Sequence, residues 1–180
     1  MNAFGELKQA ALGWLDLIAG RKDVGARFNA SRPGVINAIG CYVAVILVSM
    51  LIPAFWLGMP DYSQFFTGIV ANSLPLAGVA LAIIITRAML RLDVTFVELF
   101  VPAVYALSFV LFIGLFLSFI SPVFANSLLG VLGFMLFREA RDIGKMNLGI
   151  SLAFALFGIV ALVAPSFALY MLAVPAPPAV

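Results

Sequence analysis

The stretch Ala106–Ile120, ALSFVLFIGLFLSFI, holds no charged side chain and does not alternate apolar with polar residues. Extended back to Phe96, it is long enough to cross the hydrocarbon core of a bilayer, which takes about twenty residues of helix. A barrel strand would alternate over about ten residues, and only helices and closed barrels satisfy the backbone in lipid. A second run, Ala44–Trp56, AVILVSMLIPAFW, has the same character. The chain is therefore expected to be all-α, a polytopic membrane helical bundle.

Composition points the same way. Of the 180 residues, 64% are hydrophobic and only 10% are charged, and the mean hydropathy is +1.18. A water-soluble domain of this size needs a larger polar shell. Apolar length predicts five spans, near 35–56, 66–89, 96–119, 123–137 and 147–172. The third and fourth should form a tight hairpin closed at Ser121-Pro122. Three regions follow: a polar N-terminal segment (1–33), the transmembrane domain (34–173) and a short tail (174–180).

The charges predict an orientation. All ten basic residues fall ahead of span one (Lys8, Arg21, Lys22, Arg27, Arg32), between spans two and three (Arg87, Arg91), or between four and five (Arg138, Arg141, Lys145). These segments share one side of the membrane. The positive-inside rule makes that side cytoplasmic, with the tail outside. Trp56 and Tyr62 at the outer level, and Phe96 and Phe100 at the inner one, suit aromatic anchoring. The basic residues other than Lys8 are the candidate contacts for anionic lipid headgroups. Local pairing of Arg87 and Arg91 with Asp93 and Glu98 is also expected, as is a mixed cluster at Arg138, Glu139, Arg141 and Asp142.

The N-terminal segment is too polar to span but has a helical period. Phe4, Leu7, Ala11, Trp14 and Ile18 are expected on one face, with Glu6, Gln9, Gly13 and Asp16 on another. That pattern is read as an amphipathic helix lying in the membrane interface, with a docking helix for a partner as the alternative. The sequence SRPG at Ser31–Gly34 should turn the chain into the bilayer.

Within the spans, Ala71-Asn72-Ser73-Leu74 recurs as Ala125-Asn126-Ser127-Leu128. Either the two hairpins are parallel repeats, or a chain of few residue types has repeated a tetrapeptide by chance. Asn72, Ser73, Asn126 and Ser127 are the candidate intramembrane polar positions, as glue between helices or as a solute site. Tyr105, Phe109, Phe112, Phe116 and Phe119 form an aromatic stripe on one helix face. Gly78 and Ala82 suit a close helix approach. Pro53, Pro75, Pro102 and Pro165 fall inside spans, where each removes a backbone donor.

Chemistry is constrained mainly by what is missing. With no histidine and one cysteine, Cys41, the chain lacks the usual haem ligand, the commonest metal ligand and the usual general base. No acidic residue is placed mid-span, which counts against proton relays and ion-coupled transport. No catalytic, metal-binding or cofactor-binding residue is expected. The charge of +2 and the lack of a basic run argue against nucleic acid.

The layout of five spans after a cytoplasmic segment resembles bacterial members of the Yip1-like family of small membrane proteins. The resemblance rests on TRAMLRLDVTFVELFVPAVYALSFVLF (Thr86–Phe112), and on REARDIGKMNLGISLAFAL (Arg138–Leu156) leading into the last span. It implies an accessory or organising role in the inner membrane of a bacterium, with lipids and other membrane proteins, or the chain itself, as partners. A small permease or permease subunit for an uncharged or weakly polar solute is the alternative.

Overall fold

Serine, threonine and proline punctuate the chain where its helices begin. The computed structural model describes residues 3–21 and 24–173. It contains α1 (Ala3–Ile18), α2 (Arg32–Leu57), α3 (Tyr62–Leu90), α4 (Phe96–Ile120), α5 (Pro122–Asp142) and α6 (Leu148–Ala173), with a single 3-10 turn at Val24–Arg27. Lys22, the tail 174–180 and the side chain of Asn126 lie outside the described residues.

The caps explain the boundaries. Ser31 caps α2, accepting from Gly34 N at 3.4 Å, so SRPG starts the helix itself rather than forming a turn before it. Thr95 and Glu98 form a reciprocal capping box at the start of α4, satisfying donors the first turn leaves without partners. Ser121 alone separates α4 from α5: its N–H donates to Leu117 O at 2.9 Å, and its hydroxyl accepts from Val123 N. The predicted tight hairpin is thus present. Asn147 Oδ1 accepts from Ile150 N at the start of α6.

Four of the helices, α2, α3, α4 and α6, are long and apolar enough to cross a membrane. The expected fourth span lies in α5, whose apolar part ends at Phe137 before Arg138, Glu139, Arg141 and Asp142. At 1.5 Å per residue, its length from Pro122 to Phe137 is about 24 Å, short of the roughly 30 Å hydrocarbon core.

Packing runs in a circuit: α3 on α6, α6 on α5, α5 on α4, and α4 back on α3. Helix α2 packs outside this circuit, mainly on α4, while α1 touches α2, α4 and α5. Helix α4 is consequently surrounded, and every residue from Leu99 to Ser108 is buried. Gly78 of α3 is buried where that helix crosses α6, and a Cβ there would overlap the Ala161 carbonyl oxygen. The close approach expected from Gly78 and Ala82 is therefore real, and Ala82 is fully buried beside it.

The aromatic stripe of α4 changes environment along its length. Tyr105 is buried and stacks with Phe109 at 6.3 Å between centroids. Phe112, Phe116 and Phe119 are exposed on the bundle surface.

Candidate functional site

The most built part of the molecule is the end that gathers the basic residues. Helix α1 is fastened across it by side chains whose partners come from later in the chain. The Trp14 indole N–H donates to Pro102 O at 3.1 Å, and the contact is buried. Arg138 Nε donates to Leu17 O at 3.0 Å, tying the last turn of α1 to α5. Glu6 accepts from Asn29 Nδ2 at 2.7 Å and from Asn37 Nδ2 at 2.9 Å. Asp16 pairs with Arg21 at 2.7 Å and Arg27 at 2.6 Å, which folds the segment after α1 back upon it.

This corrects the faces expected for α1. Trp14 points into the bundle, whereas Phe4 and Ile18 from the same expected face point out. Glu6, Gly13 and Asp16, expected on the polar side, are buried. The physical reason is specific pairing: each carboxylate finds two charged or amide donors from the segment that follows, so burial costs little. Phe4, Leu12, Leu15 and Ile18 are left as an exposed apolar stripe, with Lys8 also exposed. Phe28 closes over Gly13 and meets the Trp14 ring edge-on at 5.9 Å.

The candidate headgroup contacts divide into two sets. Arg21, Arg27 and Arg138 are held by carboxylates, the last by Asp142 at 2.9 Å. Arg87 donates to Val94 O at 2.6 Å, bridging the turn between α3 and α4. Among the described residues, neither Arg87 nor Arg91 forms the expected ion pair with Asp93 or Glu98. The Glu98 carboxylate serves Thr95 instead. Arg32, Arg91, Arg141 and Lys145 are exposed and join no ion pair among the described residues. Arg91 and Lys145 both have positive φ, 50° and 53°, at the ends of α3 and the α5–α6 connection. A cavity of about 620 Å³ on this end has Asp93, Glu98, Asp142 and Lys145 on its wall.

Glu139 is the residue that pattern reading missed. It is fully buried on α5, and neither carboxyl oxygen has a hydrogen-bond partner. Burial pushes its carboxyl well above the usual carboxylate range, because the charged form loses its hydration. The signal was available: Leu132, Met135, Leu136, Glu139 and Ala140 follow helical spacing, and all are buried.

The intramembrane polar candidates are mostly bonded to their own helices. Asn72 Nδ2 donates to Gly68 O, Ser73 Oγ to Ile69 O, and Ser127 Oγ to Val123 O. What crosses between helices is the Tyr42 hydroxyl of α2, which donates to Asn72 O at 2.7 Å. Asn72 sits well inside α3, while Asn126 lies in the second turn of α5, so the two tetrapeptides occupy different helical positions. A cleft of about 390 Å³ has Ser49, Asn72, Gly114 and Leu128 on its wall.

A second groove, between α5 and α6, is apolar throughout. Its volume is about 450 Å³, with Gly130, Gly133, Phe134 and Phe137 on one wall and Leu152, Leu156 and Ile159 on the other. Among the described residues, no cluster of histidine, cysteine or carboxylate groups could hold a metal ion. No family model matches the chain, and neither a curated protein nor a solved structure does so.

Proposed function

We propose that this chain is a non-catalytic integral protein of a bacterial inner membrane, an accessory or organising subunit that binds lipid and other membrane proteins. The carrying observation is the double-faced α1. One face is locked to the bundle through Glu6, Trp14 and Leu17, and the other offers Phe4, Leu12, Leu15 and Ile18. A helix with an apolar stripe left over, at the end bearing Arg32, Arg91 and Arg141, has the make-up of an interfacial foot.

In this reading the basic end faces the cytoplasm, and α5 is the fifth crossing. Helix α5 begins one residue after α4 ends and packs between α4 and α6, which supports a return through the membrane. Its short apolar part is accommodated by local thinning and by Arg138 and Arg141 reaching the interface. The Yip1-like resemblance is compatible with this layout and remains part of the proposal.

The test is extraction in native nanodiscs with mass spectrometry of co-purifying species, beside cysteine labelling at positions 91 and 178. Labelling of 91 from the cytoplasm and of 178 from outside is expected, together with a stoichiometric protein partner or an enriched lipid. A chain recovered alone with bulk lipid contradicts the organising role. The permease reading is favoured by the Asn72 cleft, but the buried run Leu99–Ser108 offers it no polar path onward. Solute flux through liposomes containing the chain would reverse that preference.

A further inference from the structure

One helical turn beyond Phe137, the last α5 residue of the apolar groove between α5 and α6, stands Arg141. Gly130, Phe134, Phe137 and Arg141 lie within about 40° of one line on α5, at 100° per residue. Arg141 is exposed and joins no ion pair among the described residues, whereas its neighbour Arg138 is held by Asp142 and the Leu17 carbonyl. A cation without a partner thus stands where the groove runs out. From Gly130 to Arg141 the helix axis covers about 16 Å, close to one leaflet's half of a roughly 30 Å hydrocarbon core.

The floor of the groove is open because of its glycines. A Cβ on Gly130 would meet nothing within 4 Å, while one on Gly133 would touch Ile159 at 3.4 Å. Gly133 therefore sits where the helices meet, and Gly130 where they part. Phe134, Leu152 and Leu156 stand exposed along the rims. The apolar walls and the volume of about 450 Å³ suit a hydrocarbon chain.

We propose that this groove binds one acyl chain of an anionic phospholipid whose phosphate pairs with Arg141. The inference rests on the reading that α5 crosses the membrane with its C-terminal end at the cytoplasmic headgroup level. The groove supplies apolar contact, and Arg141 selects charge. Together they define a site for a single lipid rather than a general attraction to the surface.

The experiment uses the full chain in nanodiscs of phosphatidylcholine containing a minority of phosphatidylglycerol, with retained lipids read by native mass spectrometry. Wild type should retain one phosphatidylglycerol in preference to phosphatidylcholine. Arg141→Gln should lower that preference about fivefold, the contribution of one basic residue beside anionic lipid. Gly130→Leu adds a side chain whose Cβ meets nothing within 4 Å, and should lower retention of both lipids by occupying the groove. Arg91→Gln, at an exposed cation on the same end but away from this groove, should lower the preference less than Arg141→Gln does. Equal effects of Arg91→Gln and Arg141→Gln would overturn the site in favour of diffuse attraction. So would unchanged retention in Gly130→Leu, or a dimer that Gly130→Leu dissociates without any change in lipid. Labelling of Arg141→Cys only from outside would instead overturn the orientation beneath the proposal.

Discussion

Trp14 and Pro102 are joined by a buried hydrogen bond across 88 residues of sequence, from the indole N–H to a carbonyl oxygen within α4. Truncating Trp14 removes both the donor and the ring that fills the space beneath Phe28. Trp14→Ala should weaken the docking of α1 by about 3–5 kcal/mol, and Trp14→Phe by less. Limited trypsin digestion checks this, since the bond after Lys8 lies inside α1 and becomes cleavable when the undocked helix unfolds. Equal cleavage of wild type and Trp14→Ala would mean that the indole does not hold the helix.

Glu139 makes stability depend on pH with a definite sign. Its folded carboxyl is raised above the ordinary value, so the folded chain keeps a proton that the unfolded chain releases. Stability is then fully present below the ordinary carboxylate range and declines as pH rises toward the folded value, by up to about 1.4 kcal/mol per pH unit. Thermal unfolding in detergent between about pH 5 and pH 8 should show the decline in wild type and a flatter profile in Glu139→Gln. A profile that Gln leaves unaltered would assign the dependence elsewhere.

Two glycines on the helix surfaces should behave oppositely. Gly78→Ala drives a methyl group into the Ala161 carbonyl at the α3–α6 crossing, and should cost about 1–3 kcal/mol. Gly130→Ala meets open space and should be neutral or slightly stabilising, since alanine favours helix. Melting temperatures of the two variants, measured side by side, decide the matter.

Glu6 holds two amides at once. Glu6→Ala strands Asn29 Nδ2 and Asn37 Nδ2, with an expected cost of about 1–3 kcal/mol. Glu6→Gln keeps one acceptor and should recover part of it. Hydrogen exchange across residues 29–37 should quicken in the order wild type, Gln, Ala.

The helices were legible because lipid leaves the backbone few alternatives and because Ser121-Pro122 marked the α4–α5 hairpin, whereas the caps at Ser31 and Thr95 were not read from the sequence. Apolar length located α2, α3, α4 and α6, and Gly78 with Ala82 announced a close crossing. The orientation of α1 was not legible. A helical wheel assigns Glu6 and Asp16 to water, since it cannot know that Asn29, Asn37, Arg21 and Arg27 fold back to meet them. The same limit applied to Arg87, whose nearest acceptor is a backbone carbonyl at Val94, a partner that charge patterning does not see. Glu139 was missed for a different reason. Its helical spacing was plain, but its proximity to Arg138 and Arg141 suggested pairing, and the structure turns those arginines elsewhere.

The fastening of α1 also sets an order of events during synthesis. Leu17 is made before the Arg138 that grips its carbonyl, which follows 121 residues later. At roughly 5–20 residues per second, the first helix waits on the order of ten seconds before its seat exists. Trp14 and the buried face of α1 spend that interval without their final partners, free to rest on lipid or on a chaperone. A segment made well before its seat is thus locked only after that seat has been built. Its docking would report that α4 and α5 have already been assembled.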